Sequence, residues 1–265
     1  MKLLRQYIRE ALKESRFKQM SKAKFTDLKQ ALASSTFLDA DPAGDLDDDG
    51  DWASDSANEL RDTLNDYFDD KFGAGNITAI VKVDMMSTSK EVGKDGVLKA
   101  GTYYFEDGLH FIELMMANIE DAPSFRDVGA AEQKVYEVVM HELLHMQQFL
   151  KFSRGNPTVE SWEAFTGEYK KAGGAQGMKG DYFFFDADSG LSELETFAFQ
   201  MAEELVDELG KEKAVSLLQQ QDPDYDAIRS SSNSFRDIEK QSPDITRPEL
   251  RDMIKRSKQY AKRMK

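Results

Sequence analysis

The sequence predicts an α+β fold in which a small mixed or antiparallel sheet packs on a long buried helix, with additional helices at both ends. Residues 77–86 alternate between apolar and other side chains, as the strands of a half-buried sheet do. Residues 102–105 and 109–116 are two further strand-like runs, joined around Asp107-Gly108, which is a strong hairpin signal. Residues 131–152 are apolar on nearly every side at helical spacing, which is typical of a buried helix.

The composition excludes several classes of site. The chain has 265 residues, a formal net charge of −14, three histidines and no cysteine. Without cysteine there is no disulfide, iron–sulfur cluster or thiol nucleophile, so a transition-metal site has to use histidine and carboxylate ligands. No apolar run approaches the roughly 20 residues of a membrane span, and the basic N-terminus lacks the apolar segment of a secretory signal. We therefore expect no membrane partner and no secretion by a signal peptide.

Charge is unevenly distributed along the chain. Residues 1–24 and 247–265 each carry a net charge of +6, which leaves −26 for the segment between them. Because such an acidic body repels nucleic acid, we do not expect nucleic acid as a partner, although either basic end could still contact phosphate or an acidic partner. The first segment is predicted to form a short basic amphipathic helix, and the basic tail is predicted to form a solvated helix.

Four segments are predicted from the order of these elements. They are a basic N-terminal helix (1–24), a helical segment with an acidic loop (25–75), the segment with the sheet and the buried helix (76–210), and a C-terminal helical segment with a basic tail (211–265). Residues 56–72 are expected to be helical, with Ser56 as the N-cap and Glu59 completing a capping box. Residues 153–190 are predicted to form a loop, and 222–248 are a stretch that contains serine, asparagine and proline.

Aspartate is concentrated at residues 39–55, where it occupies eight of seventeen positions. Alternating carboxylates before Gly50 match the first half of an EF-hand-type calcium loop. The carboxylates before Gly50 are Asp45, Asp47 and Asp49, and Asp51 after it could supply a further oxygen ligand. The position that holds a bidentate glutamate in such a loop is Ser56 here, so two interpretations stay open, a solvated acidic loop and a calcium site.

The motif that carries chemistry lies in the predicted buried helix and reads His141-Glu142-Leu-Leu-His145, or HExxH. Histidines four residues apart lie one turn apart on the same helix face, so both imidazoles can reach one zinc ion. Glu142 lies beside them, where it can act on a water molecule. With so few histidines, a chance match is expected on the order of 0.003 times in this chain. The alternative is a pair of structural, hydrogen-bonded histidines.

A hydrolytic zinc site needs a third protein ligand. His110, the remaining histidine, shares a strand face with Ile112 and Leu114, which predicts a packing or strand-edge role. A later predicted helix, residues 191–202, places Glu193 and Glu195 on different faces. The face of Glu193 includes Gln200 and Glu204, and that of Glu195 includes Leu191, Ala198, Phe199 and Ala202. Because its face is apolar, Glu195 is predicted to be the third ligand, the alternative being an exposed edge residue.

The HExxH motif followed by Glu195-Thr-Phe-Ala198 resembles the zincin metallopeptidases, in particular gluzincins and their phage-encoded relatives. Thr196 replaces the first alanine of the family's Glu-Ala-x-x-x-Ala-like pattern, which leaves the subfamily open. The resemblance implies a zincin-like fold with residues 76–210 as the metallopeptidase core. It also implies zinc held by His141, His145 and Glu195, with Glu142 as general base in peptide-bond hydrolysis. The polypeptide substrate is expected to lie along an edge strand, for which 109–116 is predicted.

The N-terminal segment resembles the capsid-targeting leader of internal virion proteins of T-even-like tailed phages. Ile8-Arg9-Glu10 before Ala11 fits the Ile/Leu-x-Glu pattern after which a prohead protease cuts, and residues 12–14 before Ser15 fit it again. The resemblance implies a cleavable leader, a phage capsid or scaffold partner bound through this helix, and a location in the virion or the host cytoplasm. The alternative function is a non-enzymatic phage internal protein with a structural metal site, or a calcium-binding module.

Overall fold

A computed structural model of the chain describes nine sequence ranges. They are residues 26–37, 39–40, 45–46, 52–84, 98–117, 128–171, 193–220, 223–241 and 247–264. These ranges contain nine helices and five strands, which confirms the predicted α+β class. The chain divides into two compact units, one ending at Met146 and the other continuing from Gln147. The predicted N-terminal helix and leader lie outside the described residues.

The first unit holds the strands. Its elements are α1 (Thr26–Ala33), β1 (Asp45–Leu46), β2 (Trp52–Ala53), α2 (Asp55–Phe72), β3 (Ile77–Asp84), β4 (Leu98–Glu106), β5 (Leu109–Ala117) and most of α3 (Val128–Phe152). The second unit begins within α3 and is helical in its described residues. Its other helices are α4 (Val159–Lys171), α5 (Glu193–Leu209), α6 (Lys211–Leu217), α7 (Tyr225–Ser231), α8 (Asn233–Gln241) and α9 (Arg247–Arg263).

The three longer strands form a mixed sheet in the order β3-β5-β4, with β3 parallel and β4 antiparallel to β5. β4 and β5 are joined by a two-residue turn in which Asp107 and Gly108 have φ values of 50° and 86°. Two successive positive φ values are the mark of the type I′ hairpin turn, so the predicted hairpin is confirmed. The expectation that 109–116 is an edge strand is wrong, because β5 pairs with a strand on each side.

One face of this sheet forms the core of the first unit. Alternate residues of each strand are buried there, as the two-residue period of a strand requires. They are Ile77, Ala79 and Val83 in β3, Tyr103 and Phe105 in β4, and Ile112, Leu114 and Met116 in β5. The alternation predicted for β3 is confirmed at Ala79 and Val83, whereas Val81 on the same face is half-buried and Met85 lies outside the described residues.

The N-cap of helix α2 lies two residues before the serine that the sequence pattern predicts. The N-cap is Ser54, whose hydroxyl oxygen accepts a hydrogen bond from the amide of Ala57 at 3.1 Å. Ser56 is buried in the first turn and donates its hydroxyl to the carbonyl oxygen of Phe37 at 2.5 Å. Glu59 instead accepts a hydrogen bond from Thr36 Oγ1 at 2.8 Å. The predicted capping box is therefore absent, because tertiary partners engage both of its side chains.

The second unit is more helical than predicted. Helix α4 occupies part of the expected loop at 153–190, and α7 and α8 occupy part of the stretch at 222–248. The basic tail is not merely a solvated helix, because α9 packs against α5 through an apolar stripe. That stripe consists of Leu250, Met253, Ile254 and Ala261, all buried at helical spacing. No described helix is both long and apolar enough to cross a membrane.

Candidate metal centre

The two histidines of the HExxH motif converge within α3. His141 Nε2 and His145 Nε2 lie 3.0 Å apart, and the two rings meet edge to face with centroids 4.7 Å apart. His145 is buried and His141 is partly buried. The four-residue spacing on a helix produces this arrangement, because it stacks the two side chains on one face. The structure thus brings together the two ring nitrogens that the sequence predicts as ligands.

The separation of the two nitrogens can be compared with zinc–imidazole geometry. Zinc binds imidazole nitrogen at about 2.0–2.1 Å, so two nitrogens that contact one ion must lie within about 4.1 Å of each other. The 3.0 Å between His141 Nε2 and His145 Nε2 meets that condition. The same distance also fits a direct hydrogen bond in which one ring N–H donates to the other ring. The distance between the two nitrogens is therefore compatible with a zinc site and also with a pair of hydrogen-bonded structural histidines.

Glu142 projects from the same helical turn and lies against strand β4. Its side chain is buried, at 6% exposure. The contact is made at Gly101, where a Cβ atom built on the backbone would lie 3.0 Å from Glu142 Oε1. The main chain of β4 thus runs directly beside the carboxylate. No motif in the sequence includes Gly101, and the one available signal is that a glycine inside a strand often marks the close approach of another group.

His110 takes a packing role in the sheet. Its Nδ1 shares a 2.8 Å hydrogen bond with the hydroxyl of Tyr103, and its ring stacks on the Tyr103 ring and packs against Phe105. Burial lowers the pKa of His110 to about 4 and raises the pKa of Tyr103. Both side chains are therefore uncharged at neutral pH. The packing role expected for His110 is confirmed, but its position on a central strand is not a strand edge.

The predicted third ligand lies in the first turn of α5. The side chains of Glu193 and Glu195 are outside the part of the chain that the structure describes, so Glu195 as a ligand stays a prediction. The division of α5 into a solvent-facing and a core-facing side is wrong, because this helix is buried on all sides from Thr196 to Ala202. That buried run includes Gln200, on the face expected to meet solvent.

Glu204, on the same polar face of α5, also has packed partners. Its carboxylate accepts hydrogen bonds from the hydroxyls of Ser232 and Ser234 at 2.5 Å and 2.7 Å. Glu193 and Glu195 therefore cannot be distinguished by placing one on a solvent-facing stripe and the other on a core-facing stripe of α5. Among the side chains that the structure does describe, no group of three or more histidines, aspartates and glutamates is placed to hold a metal.

The predicted calcium loop is described only at its ends. Asp45 and Leu46 pair with Ala53 and Trp52 as a short antiparallel ladder, whereas Asp47, Asp49 and Asp51 lie outside the described residues. Ser56, at the twelfth position of the loop pattern, is turned toward the Phe37 carbonyl and is buried. Calcium binding stays a prediction, which a calorimetric titration of the chain with Ca²⁺ would test.

Comparison with known proteins adds no further evidence on function. No protein-family model matches the sequence, and no curated protein or solved structure matches it either. What bears on function is therefore the local geometry around His141, Glu142, His145 and Gly101.

Proposed function

We propose that this protein is a zinc-dependent metallopeptidase of the HExxH kind. The observation that carries the proposal is the convergence of His141 Nε2 and His145 Nε2 on one side of α3, with the buried carboxylate of Glu142 in the same helical turn. His141 and His145 would hold the metal. Glu195 is proposed as the third ligand on sequence grounds. The zincin-like fold is also proposed on sequence grounds.

In this proposal each group of α3 has one chemical task. When bound, zinc supplies Lewis acidity that activates water and polarises an amide carbonyl group. Glu142 accepts a proton from the attacking water and later donates that proton to the departing amine. Burial of Glu142 suits this task, because charge interactions are stronger where water is excluded. A carboxylate that alternates between base and acid needs no second titrating side chain for the two steps.

The sheet suggests how a polypeptide substrate is presented. β5 is unavailable because it is paired on both sides, and the β3 edge is occupied at Ala79 by the side chain of Asn65. β4 has no strand on its outer edge among the described residues, and it passes beside Glu142 at Gly101. We therefore place an extended substrate along β4, where main-chain hydrogen bonds would add it as a further strand.

The metal-binding and catalytic proposals can be tested separately. Metal analysis of the purified chain is expected to find one zinc ion, and His141→Ala and His145→Ala are expected to lose it. Glu142→Gln is expected to retain zinc but to cleave an unstructured protein at least about 100-fold more slowly, because a general base typically contributes that much. Glu132→Gln, the same chemical change on the same helix, serves as the control and should cleave at the wild-type rate.

Each outcome of this experiment has a distinct meaning. A wild-type chain without zinc would overturn the proposal entirely. Zinc bound stoichiometrically with no hydrolysis in a broad panel of unstructured proteins would leave a structural metal site and remove the peptidase. Unchanged zinc content in Glu195→Ala would remove Glu195 from the ligand set while leaving the histidine pair in place.

The N-terminal motif supports a further part of the proposal, which is a role inside a phage capsid. Cleavage after Glu10 or Glu14 would give mature chains that begin at Ala11 or Ser15. Mass spectrometry of the protein recovered from virions is expected to show one of these ends. A virion-derived protein that still begins at Met1 would contradict the prediction of a cleavable leader. That result would leave the proposal of a zinc site unaffected.

A further inference from the structure

We propose that Gly101 is a positioning residue for Glu142, in that its missing side chain lets β4 lie directly against α3 and so fixes the carboxylate. The inference deepens the proposed function and rests on it, because it assigns a role in the reaction to a residue outside the HExxH motif. It follows from the space around one glycine and from the two α3 residues that fill that space.

The backbone conformation does not explain why glycine stands at position 101. The described glycines with positive φ are Gly73, Gly75, Gly108, Gly155 and Gly210. Gly101 is not among them; it follows a register shift between Leu98 and Ala100 of β4 and pairs with Leu114 of β5. Any residue can adopt such an extended conformation. An alanine at this position would therefore be unstrained in its own backbone.

The space around the residue does explain the glycine. A Cβ at position 101 would lie 2.4 Å from Val138 Cγ1, 3.0 Å from Glu142 Oε1 and 3.1 Å from Glu142 Cγ. The first distance is well inside van der Waals contact, and the other two are tight. Val138 and Glu142 are four residues apart and thus neighbours on one helix face. A side chain at position 101 must therefore displace this turn of α3, the strand, or the carboxylate itself.

The position of the carboxylate matters for the proposed reaction. A general base has to lie within hydrogen-bond reach of the proton that it takes, and a misplacement of about 1 Å can slow a reaction about 100-fold. Gly101 is held by the sheet through its pairing with Leu114. The backbone of β4 thus forms a fixed surface against which Glu142 packs. We infer that this backbone surface sets where the Glu142 carboxylate lies relative to His141 and His145 of the same helix.

The test uses Gly101→Ala, Val138→Ala and the double variant. For Gly101→Ala we expect unchanged zinc content, a KM within about threefold of wild type, and a kcat lower by about 10- to 100-fold. The double variant lacks the Val138 methyl groups that would meet the new Cβ most closely, so it is expected to regain most of the lost kcat. Gly167→Ala is the matched control, because a Cβ there meets no atom within 4 Å.

Three kinetic results would overturn the inference. They are a wild-type kcat in Gly101→Ala, a loss of kcat matched by a loss of zinc, and a double variant as slow as Gly101→Ala. Crystal structures of the wild type, Gly101→Ala and the double variant provide a measure independent of turnover. If the wild type proves inactive, a displaced carboxylate in Gly101→Ala that returns in the double variant would preserve the packing inference and remove only the proposed function. An unmoved carboxylate would overturn the inference itself.

Discussion

Asn65 binds both main-chain groups of Ala79. Its Oδ1 accepts a hydrogen bond from the Ala79 amide at 2.8 Å, and its Nδ2 donates to the Ala79 carbonyl at 3.4 Å. Ala79 lies in β3, which pairs with β5 on its other side. A single side-chain amide of α2 therefore takes the place of a neighbouring strand at this point. Occupied edges of this kind resist pairing with other chains, which is why the two edges of the sheet differ.

Replacing Asn65 by alanine is expected to lower the free energy of unfolding by about 1–3 kcal/mol, because two partly buried main-chain groups lose their partner. Urea denaturation would measure the change. Asn58→Ala is the matched control. It lies on the same helix, the described structure gives its side chain no hydrogen bond, and a change within about 0.5 kcal/mol is expected. Equal effects of the two substitutions would contradict the role given to Asn65.

Features set by residues close together in the sequence could be predicted. The hairpin at Asp107-Gly108 depends on two residues that adopt positive φ, and both do. The long helix was predicted at 131–152 and begins only three residues earlier, at Val128. The alternation of β3 and the convergence of His141 and His145 follow equally from the local geometry of a strand and of a helix.

Features that depend on distant partners could not be predicted. The central place of β5 arises from parallel pairing with β3, and no local pattern encodes which strands become neighbours. The solvent face assigned to α5 is packed, because Glu204 binds serines 28 and 30 residues further along the chain. Gly101 belongs to the candidate site only because β4 lies against α3 at this residue, a contact that no sequence pattern indicates. In each case a tertiary contact overrides what the sequence pattern suggests.

The position of the α2 cap yields a second stability prediction. Ser54→Ala removes the acceptor for the Ala57 amide and should lower the free energy of unfolding by about 1 kcal/mol, as is usual for an N-cap serine. Glu59→Ala should have a smaller effect, because its bond to Thr36 is exposed and caps nothing. Thermal unfolding of the two variants would check the order. A larger loss for Glu59→Ala would indicate that the capping box operates in solution.

Glu204 joins α5 to the start of α8 and should stabilise the second unit. Besides the two serine hydroxyls, its carboxylate accepts a hydrogen bond from the Ser234 amide at 3.1 Å. A negative charge at a helix N-terminus is favourable, and bonds to charged groups are among the stronger ones. Glu204→Ala is expected to reduce the free energy of unfolding by about 2 kcal/mol, with exposed Glu208→Ala as control. Equal unfolding midpoints in urea for the two variants would argue against it.

The partly buried His110 should make the stability of the first unit depend on pH. Its folded pKa, about 4, is below the ordinary value of 6.5, so the unfolded chain binds more protons between these two values. Stability is therefore expected to be complete above pH 6.5 and to decrease as the pH falls toward 4. The largest contribution of this one group is about 3 kcal/mol, from 1.36 kcal/mol per pKa unit.

Comparison of the wild type with His110→Gln isolates this contribution, because His141 and His145 are present in both proteins. Glutamine does not titrate but can still share a hydrogen bond with the Tyr103 hydroxyl. The difference in unfolding free energy between pH 7 and pH 4.5, measured in urea, should be smaller in His110→Gln. Parallel curves for the two proteins would show that His110 is protonated as readily in the folded chain as in the unfolded one. The tight ring packing against Tyr103 and Phe105 argues for the opposite, since a charged imidazole would lose its hydration there.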